Sequence, residues 1–160
     1  MAAIRKKKRV AGRMGWLLLV VVGVLSLWLF VFNSFWSSDV RQLKKTVQQF
    51  YSYEQTGDYG SAWELFHPQM KDIYTKDYYI QLRAHIFMQQ LNATQTRLTL
   101  GKPEKLGEWQ LSEGAQPLSH VYRLSAEQRF LSSFGLLTMR QDVFAVKEAD
   151  SWLLLWSFRE

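Results

Sequence analysis

An uninterrupted apolar stretch near the start of the chain limits what this sequence can form. Residues 14–32 read MGWLLLVVVGVLSLWLFVF and include no charged side chain. As a helix, about 19 residues extend roughly 28 Å, close to the thickness of the hydrocarbon core of a bilayer. A helix in a soluble core rarely stays apolar on all of its faces over that length. The stretch therefore predicts a transmembrane helix.

A cleaved signal peptide is the alternative for this stretch. Both kinds of segment begin with basic residues, and residues 1–13 hold six Lys or Arg and no Asp or Glu. A signal peptide has an apolar region of about 7–15 residues, followed by small residues at its cleavage site. The apolar run here is longer, and a bulky aromatic residue stands two positions before each of the serines that follow it. These features favour an uncleaved signal-anchor.

The distribution of Lys and Arg predicts the orientation of this anchor. Basic residues collect on the cytoplasmic side of a membrane span, so residues 1–13 are expected to form a cytoplasmic tail. Residues 33–37 then form a short tether, and residues 38–160 form one domain outside the cell membrane. The predicted localisation is a single-pass protein of the cell membrane, with the lipid bilayer as its first partner.

The net charge of +6 does not indicate a protein that binds nucleic acid. When the six basic residues of the tail are set aside, 14 of the 20 remain, equal to the 14 acidic residues of the chain. The domain is therefore formally neutral, whereas a nucleic-acid interface needs clustered Lys and Arg. The chain has no cysteine, which excludes disulfides, thiolate nucleophiles and cysteine-based zinc sites. This composition fits an exported bacterial domain.

The first half of the domain has the pattern of helices. Ser38 or Asp39 is suited to cap a first helix, which Gly57 stops. Apolar residues recur on it at helical spacing: Val40, Leu43, Val47, Phe50 and Tyr51. Asp58 can cap a short second helix, which is expected to close near Pro68.

A third helix, capped by Thr75, precedes a change to the twofold period of strands. Strands are predicted over residues 95–100, 108–112, 119–130, 136–147 and 152–158, with a break at residues 101–103. An apparent change of phase predicts a β-bulge at residues 140–142. The fold class is therefore α+β, with an N-terminal transmembrane helix followed by three helices packed on a curved antiparallel sheet of four to five strands.

Two sequence segments carry a resemblance to a known family. The first is Val47-x-x-Phe50-Tyr51 with residues 57–68, GDYGSAWELFHP, and the second is the ending at residues 146–156, VKEADSWLLLW. Together they resemble the nuclear-transport-factor-2-like superfamily, in its bacterial membrane-anchored form, over roughly residues 38–160. The resemblance implies a cone-shaped fold whose mouth is framed by a short helix pair. Members of this superfamily include isomerases, dehydratases, scaffold domains and parts of secretion machines, so the fold alone does not define a function.

Enzymes of this superfamily use an Asp or His base inside the cone, which makes His67 and Asp72 the candidates for that role here. The simpler explanation of His67 is a residue at the C-terminal end of a helix, where an imidazole is favourable to the helix dipole. The other candidates, His85, His120 and Asp77, have simpler explanations as surface or capping residues. Packing in the core and at its rim is the favoured explanation of the aromatic residues on the predicted helices, and the alternative is a pocket lined by Tyr51, Trp63, Phe66, His67, Tyr74 and Tyr78. No metal-ligand spacing or nucleotide-binding motif occurs, so no metal or cofactor is predicted.

A second predicted surface is a strip around the turn at residues 132–135, consisting of Phe130, Leu131, Phe134 and Leu136. A turn tip has little core in which to bury such side chains, so this strip is a candidate patch for a partner. The leading hypothesis is therefore a non-catalytic interaction or scaffold domain of a cell-envelope or secretion assembly, which binds another envelope protein or a second copy of itself. The alternative is a small apolar-ligand-binding or enzymatic domain that uses His67 or Asp72.

Overall fold

A computed structural model describes residues 5–157, with side chains described for residues 19–26, 28 and 38–157. Its first element, α1, is one helix over Arg5–Gln55. The prediction that a new helix begins at Ser38 or Asp39 was wrong, and the predicted tether 33–37 is helical as well. No Gly or Pro occurs between Gly23 and Gln55, and Ser or Asp costs less in a helix interior than either of those two residues.

The predicted membrane span lies within α1. Of that span, residues 14–18, 27 and 29–32 lie outside the described side chains. Among the helical residues that are described, no stretch has both the length and the apolar character needed to cross a membrane. The chain divides into two units, Met1–Val40 and Arg41–Glu160.

Local signals define how the helices of the second unit begin and end. Gly57 adopts a φ of +76°, a conformation that favours glycine, two residues beyond the end of α1. Asp58 accepts a hydrogen bond of 3.0 Å from the backbone N–H of Ser61 and caps α2, Tyr59–Glu64. Both predictions are confirmed.

Pro68 opens a helix instead of closing one. It is the first residue of α3, Pro68–Ile73, a position where the missing backbone N–H of proline costs nothing. Thr75 caps α4, Lys76–Arg83, as predicted, and the chain continues as a π-helix over Ala84–Gln90. The prediction of three helices is therefore corrected, because α3 was not expected.

An antiparallel sheet of five strands follows, which confirms the α+β class. Its path runs β1–β5–β6–β7, and β2 also pairs with β5. A separate two-stranded sheet pairs β3 with β4. The bounds are β1 Thr94–Leu100, β2 Glu104–Lys105, β3 Glu108–Trp109, β4 Leu118–Ser119, β5 Tyr122–Ser132, β6 Gly135–Glu148 and β7 Ser151–Trp156.

The predicted bulge at residues 140–142 was wrong, since β5 and β6 pair without a shift of register. Val143 and Phe144 point to opposite faces and are both buried. Trp109 stacks on Phe144 with ring centroids 4.3 Å apart, so the sheet is covered on both faces at this point. A register shift occurs instead in β1, between Gln95 and Arg97.

The core of the second unit lies between α1 and the inner face of the sheet. The α1 residues Leu43, Val47 and Phe50 are fully buried. The junction of α2 and α3 joins the sheet through Leu154, whose N–H donates to the carbonyl of Leu65 and whose carbonyl accepts from the N–H of His67. Rings of five residues pack around one another at this junction: Phe50, Phe66, Tyr74, Tyr79 and Trp156.

Candidate functional site

The aromatic residues named as a possible pocket lining lie in the core or at its rim. Tyr51 and Phe66 are buried, and the ring of Phe66 packs on Trp156 at 5.0 Å. The indole N–H of Trp63 donates to the carbonyl of Tyr74 at 2.6 Å. Tyr78 is half exposed and stacks on Tyr74 at 6.0 Å. These residues hold α2, α3 and α4 against the sheet, and none of them lines the pocket described below.

His67 has a structural position at the start of α3. It is buried, and its Nδ1 accepts a hydrogen bond from the N–H of Gln69 at 3.2 Å. An Nδ1 that accepts this bond leaves the proton on Nε2, which lies 2.8 Å from the carboxylate of Glu148. Both ring nitrogens are therefore engaged, and His67 links α3 to the end of β6.

The other sequence candidates are dispersed over the surface. Asp72 is exposed in α3, and Asp77 lies in the first turn of α4. His85 is exposed on the π-helix, where its Nδ1 is 2.9 Å from the side chain of Gln89. His120 is exposed before β5. None of these four lines the pocket described below.

A pocket of about 130 Å³ lies where α1 ends, and the sequence did not predict it. The end of α1, the α4–π-helix segment and the adjoining strands β1 and β5 contribute its lining. Its polar side chains are Glu54, Gln55, Thr56, Tyr59, Arg83, Gln95 and Gln128, and its apolar ones are Phe87, Met88, Ala93 and Phe130. The volume is close to that of an apolar cavity of about 150 Å³ that admits benzene.

A buried ion pair forms one side of the pocket. The Nε of Arg83 donates to Oε1 of Glu54 at 2.6 Å, and its Nη2 donates to Oε2. The hydroxyl of Tyr79 donates to the same Oε1 at 2.6 Å. Glu54 lies on the same face of α1 as the apolar residues Leu43, Val47 and Phe50, at the helical spacing that they share. An acidic residue on this otherwise apolar face was the one signal in the sequence for this site.

The charges of this pair are held in place by their surroundings. Burial raises the pKa of the Tyr79 and Tyr51 hydroxyls, and the nearby Glu54 carboxylate raises both further, so both phenols stay neutral. Burial alone lowers the pKa of Arg83, but Glu54 reverses this and raises it above the usual range. The pocket therefore contains a permanently charged guanidinium whose partner carboxylate accepts three hydrogen bonds.

Two glutamines form another polar part of the pocket lining. Gln128 Nε2 donates to Oε1 of Gln95 at 2.6 Å, and both side chains are buried. Gln128 is only 2% exposed, and its Oε1 has no hydrogen-bond partner among the described residues. A buried acceptor without a partner is costly, so this oxygen favours a donor in the pocket.

Phe130, predicted as part of the exposed patch, belongs to this pocket. It lies on the inner face of β5, is buried, and packs on Phe87 with ring centroids 5.3 Å apart. The guanidinium of Arg83 lies over the ring of Phe87, 4.2 Å from its centroid. The two phenylalanines give the pocket its apolar wall.

The remaining three patch residues form an exposed hairpin tip, by which we mean Leu131, Phe134 and Leu136. Leu131 is 58%, Phe134 75% and Leu136 67% exposed. Leu131 and Leu136 pair directly across β5 and β6 and so share one face, opposite to that of Phe130. The alternation of the strand therefore divides the predicted patch between two surfaces.

Compared with known families and with curated proteins, the chain matches no family model and no curated relative.

Proposed function

We propose that the chain is a membrane-anchored interaction module, which presents its Arg41–Glu160 unit outside the cell membrane to a partner in an envelope or secretion assembly. The observation that carries the proposal is the surface of α1 in its apolar segment. All eight residues 19–26 are exposed, on every side of the helix, and Trp28 is exposed as well. Apolar side chains exposed all round a helix are matched by a lipid environment.

The orientation in this proposal comes from the charge asymmetry. Six Lys or Arg and no acid precede the apolar segment, which favours a cytoplasmic N-terminus. The sequence resemblance of residues 38–160 to the bacterial membrane-anchored form of the nuclear-transport-factor-2-like superfamily agrees with this proposal.

Interaction is favoured over catalysis by the state of the ionisable groups. His67 has both ring nitrogens engaged, and Asp72 is exposed and lies outside the pocket. The buried carboxylate, Glu54, accepts three hydrogen bonds from Arg83 and Tyr79. A general base must lie within reach of a substrate proton in a binding site, and neither His67 nor Asp72 lines the pocket. The exposed hairpin tip, in contrast, offers apolar area to a partner.

Two lysines in the apolar segment test the anchor. Lysine at the centre of a membrane helix costs about 3 kcal/mol, so the double variant Val21→Lys/Leu25→Lys is expected to release the protein from membranes washed with alkaline carbonate. The wild-type chain and the matched apolar variant Val21→Leu/Leu25→Val should stay in the membrane pellet. Both recovered chains should begin before residue 14, as expected of an anchor that is not cleaved. A wild-type chain released by the wash, or cut after residue 32, would contradict the anchor.

A second candidate function is the binding of a small uncharged molecule, and Gln128 is the observation that favours it. Its buried Oε1 has no hydrogen-bond partner in the described part of the chain, and Gln128 lines the same pocket as the Glu54–Arg83 pair. A ligand with an N–H or O–H donor would satisfy that oxygen, and an apolar body would lie against Phe87 and Phe130.

Benzamide is a suitable probe for this pocket, since it joins a ring to an N–H donor. With full-length protein in detergent and methionine methyl groups labelled for NMR, benzamide is expected to shift the signal of Met88, which lines the pocket, and leave that of Met70 in α3 unchanged. Gln128→Leu keeps the side-chain size without the acceptor, and it should weaken binding about tenfold, the effect of one lost hydrogen bond. An unchanged Met88 signal at all soluble concentrations, or equal binding by the variant, would exclude this function.

A further inference from the structure

The face of the sheet opposite the core carries a row of arginines directly behind the hairpin tip. Arg129 of β5 is two residues before Leu131 and therefore on the same face, and Arg97 of β1 is its direct cross-strand partner. Arg140 of β6 pairs with Glu127, one row further from the tip. We define the arginine row as Arg97, Arg129 and Arg140, whose side chains are all exposed.

The chain neutralises this positive charge only in part. Like charges placed directly opposite each other across strands are destabilising, and Arg97 and Arg129 are such a pair. Among the described side chains, Glu127 is the one carboxylate that contacts the row, at 3.5 Å from Arg129 and 2.6 Å from Arg140. Arg97 forms no ion pair within residues 38–157, where side chains are described. The row thus keeps a formal excess of two positive charges.

Charges further from the tip are balanced. Arg123 on the same face of β5 lies 2.7 Å from Glu104 and 4.0 Å from Asp142. The unneutralised charge is therefore confined to the end of the sheet that also exposes Leu131, Phe134 and Leu136. Apolar side chains that project beyond a basic rim match the interface of an anionic bilayer, where apolar groups enter the headgroup region and basic groups meet phosphates.

We propose that the hairpin tip and the arginine row together dock on an anionic lipid surface. This rests on the proposed function, because the anchor is what brings the unit to the bilayer. The tip enters the interface, and the three guanidiniums bind lipid phosphates through their fork of N–H donors.

A second copy of the chain fits this surface less well than lipid does. Twofold self-association through it would bring the arginine row against the same row of its partner, with four excess positive charges in one interface. An acidic protein partner would match the charge, and the experiment below separates it from lipid.

A fluorescent label at the hairpin tip tests the proposal, since the chain has no cysteine of its own. Full-length Ser133→Cys carries an environment-sensitive dye and is reconstituted in vesicles of phosphatidylcholine, with or without phosphatidylglycerol. Ser151→Cys is the matched control, since it is exposed near the opposite end of the β6 strand. We expect a blue shift and quenching by spin-labelled lipid for position 133 in the anionic vesicles alone, and neither effect for position 151.

Substitution of the arginines separates charge from apolar contact. Each basic residue near an anionic surface strengthens binding about fivefold, so Arg97→Gln/Arg129→Gln should lower the docked-to-undocked ratio about 25-fold. Phe134→Ser/Leu136→Ser should abolish quenching, and far-UV circular dichroism checks that each variant is folded.

Three outcomes would overturn the proposal. They are equal signals from position 133 in both kinds of vesicle, an unchanged ratio in the arginine variant, or a crosslink from position 133 in native membranes to a protein in place of lipid. Flotation with the vesicles is recorded in the same samples. A chain that floats but does not dock retains the anchor and loses only this inference, whereas a chain that does not float contradicts the proposed function itself.

Discussion

Replacing Glu54 with alanine is expected to destabilise the Arg41–Glu160 unit by about 3–5 kcal/mol, the cost of leaving one partner of a buried ion pair without the other. Arg83 would keep its charge in a site where its side chain is 13% exposed, and the Tyr79 hydroxyl would lose its acceptor. The free energy of unfolding from urea titration of the purified chain measures the effect.

Two variants control for this result. Glu54→Met/Arg83→Met removes both charges and should cost less than Glu54→Ala, because no unpaired ion remains. Glu64→Ala removes an exposed carboxylate that lies 2.6 Å from Lys76, and its effect should be small because solvent screens that pair. Two results would contradict a buried Glu54–Arg83 ion pair. One is a Glu54→Ala variant as stable as the wild type, and the other is a Glu54→Met/Arg83→Met variant less stable than Glu54→Ala.

Replacing Phe66 with alanine is the second large effect, with an expected loss of about 3–5 kcal/mol. Phe66 is fully buried, and its ring packs on Phe50 at 5.4 Å, Tyr79 at 5.1 Å and Trp156 at 5.0 Å. Its removal would open a cavity at the point where the junction of α2 and α3 meets β7.

Phe134→Ala makes the same chemical change at the hairpin tip, where the side chain is exposed. It should alter the free energy of unfolding by no more than about 0.5 kcal/mol. Equal losses for the two variants would mean either that Phe66 does not fill the core or that the tip is covered. Thermal or urea unfolding of the pair, measured under one condition, decides between these results.

Much of the fold could be predicted because its signals are local. Gly57 ends a helix through its own backbone conformation, and Asp58 and Thr75 cap the next helices through bonds to residues three positions away. The bulge prediction failed because of a contact distant in sequence. Val143 and Phe144 suggested a bulge because nothing local indicates that Trp109 covers the second face.

The site was harder to predict than the fold. Aromatic residues at helical spacing look the same whether they fill a core or line a pocket, and Tyr51 and Phe66 fill the core. The buried carboxylate of Glu54 has its partners 25 and 29 residues away, so only its place on an apolar stripe could have indicated it. Side chains alternate between the two faces along β5, which places Phe130 on the inner face and Leu131 on the outer one. The sequence prediction had placed both residues on one surface.

The location of the Arg41–Glu160 unit is the central claim, and a membrane-impermeant maleimide tests it most directly in a chain without cysteine. Single cysteines at Ala3 and Ser151 report on the two sides of the predicted span. In cells stripped of their wall, position 151 should react at once, and position 3 only after the membrane is permeabilised. Reaction of position 3 in intact cells, or protection of position 151 until lysis, would contradict the account.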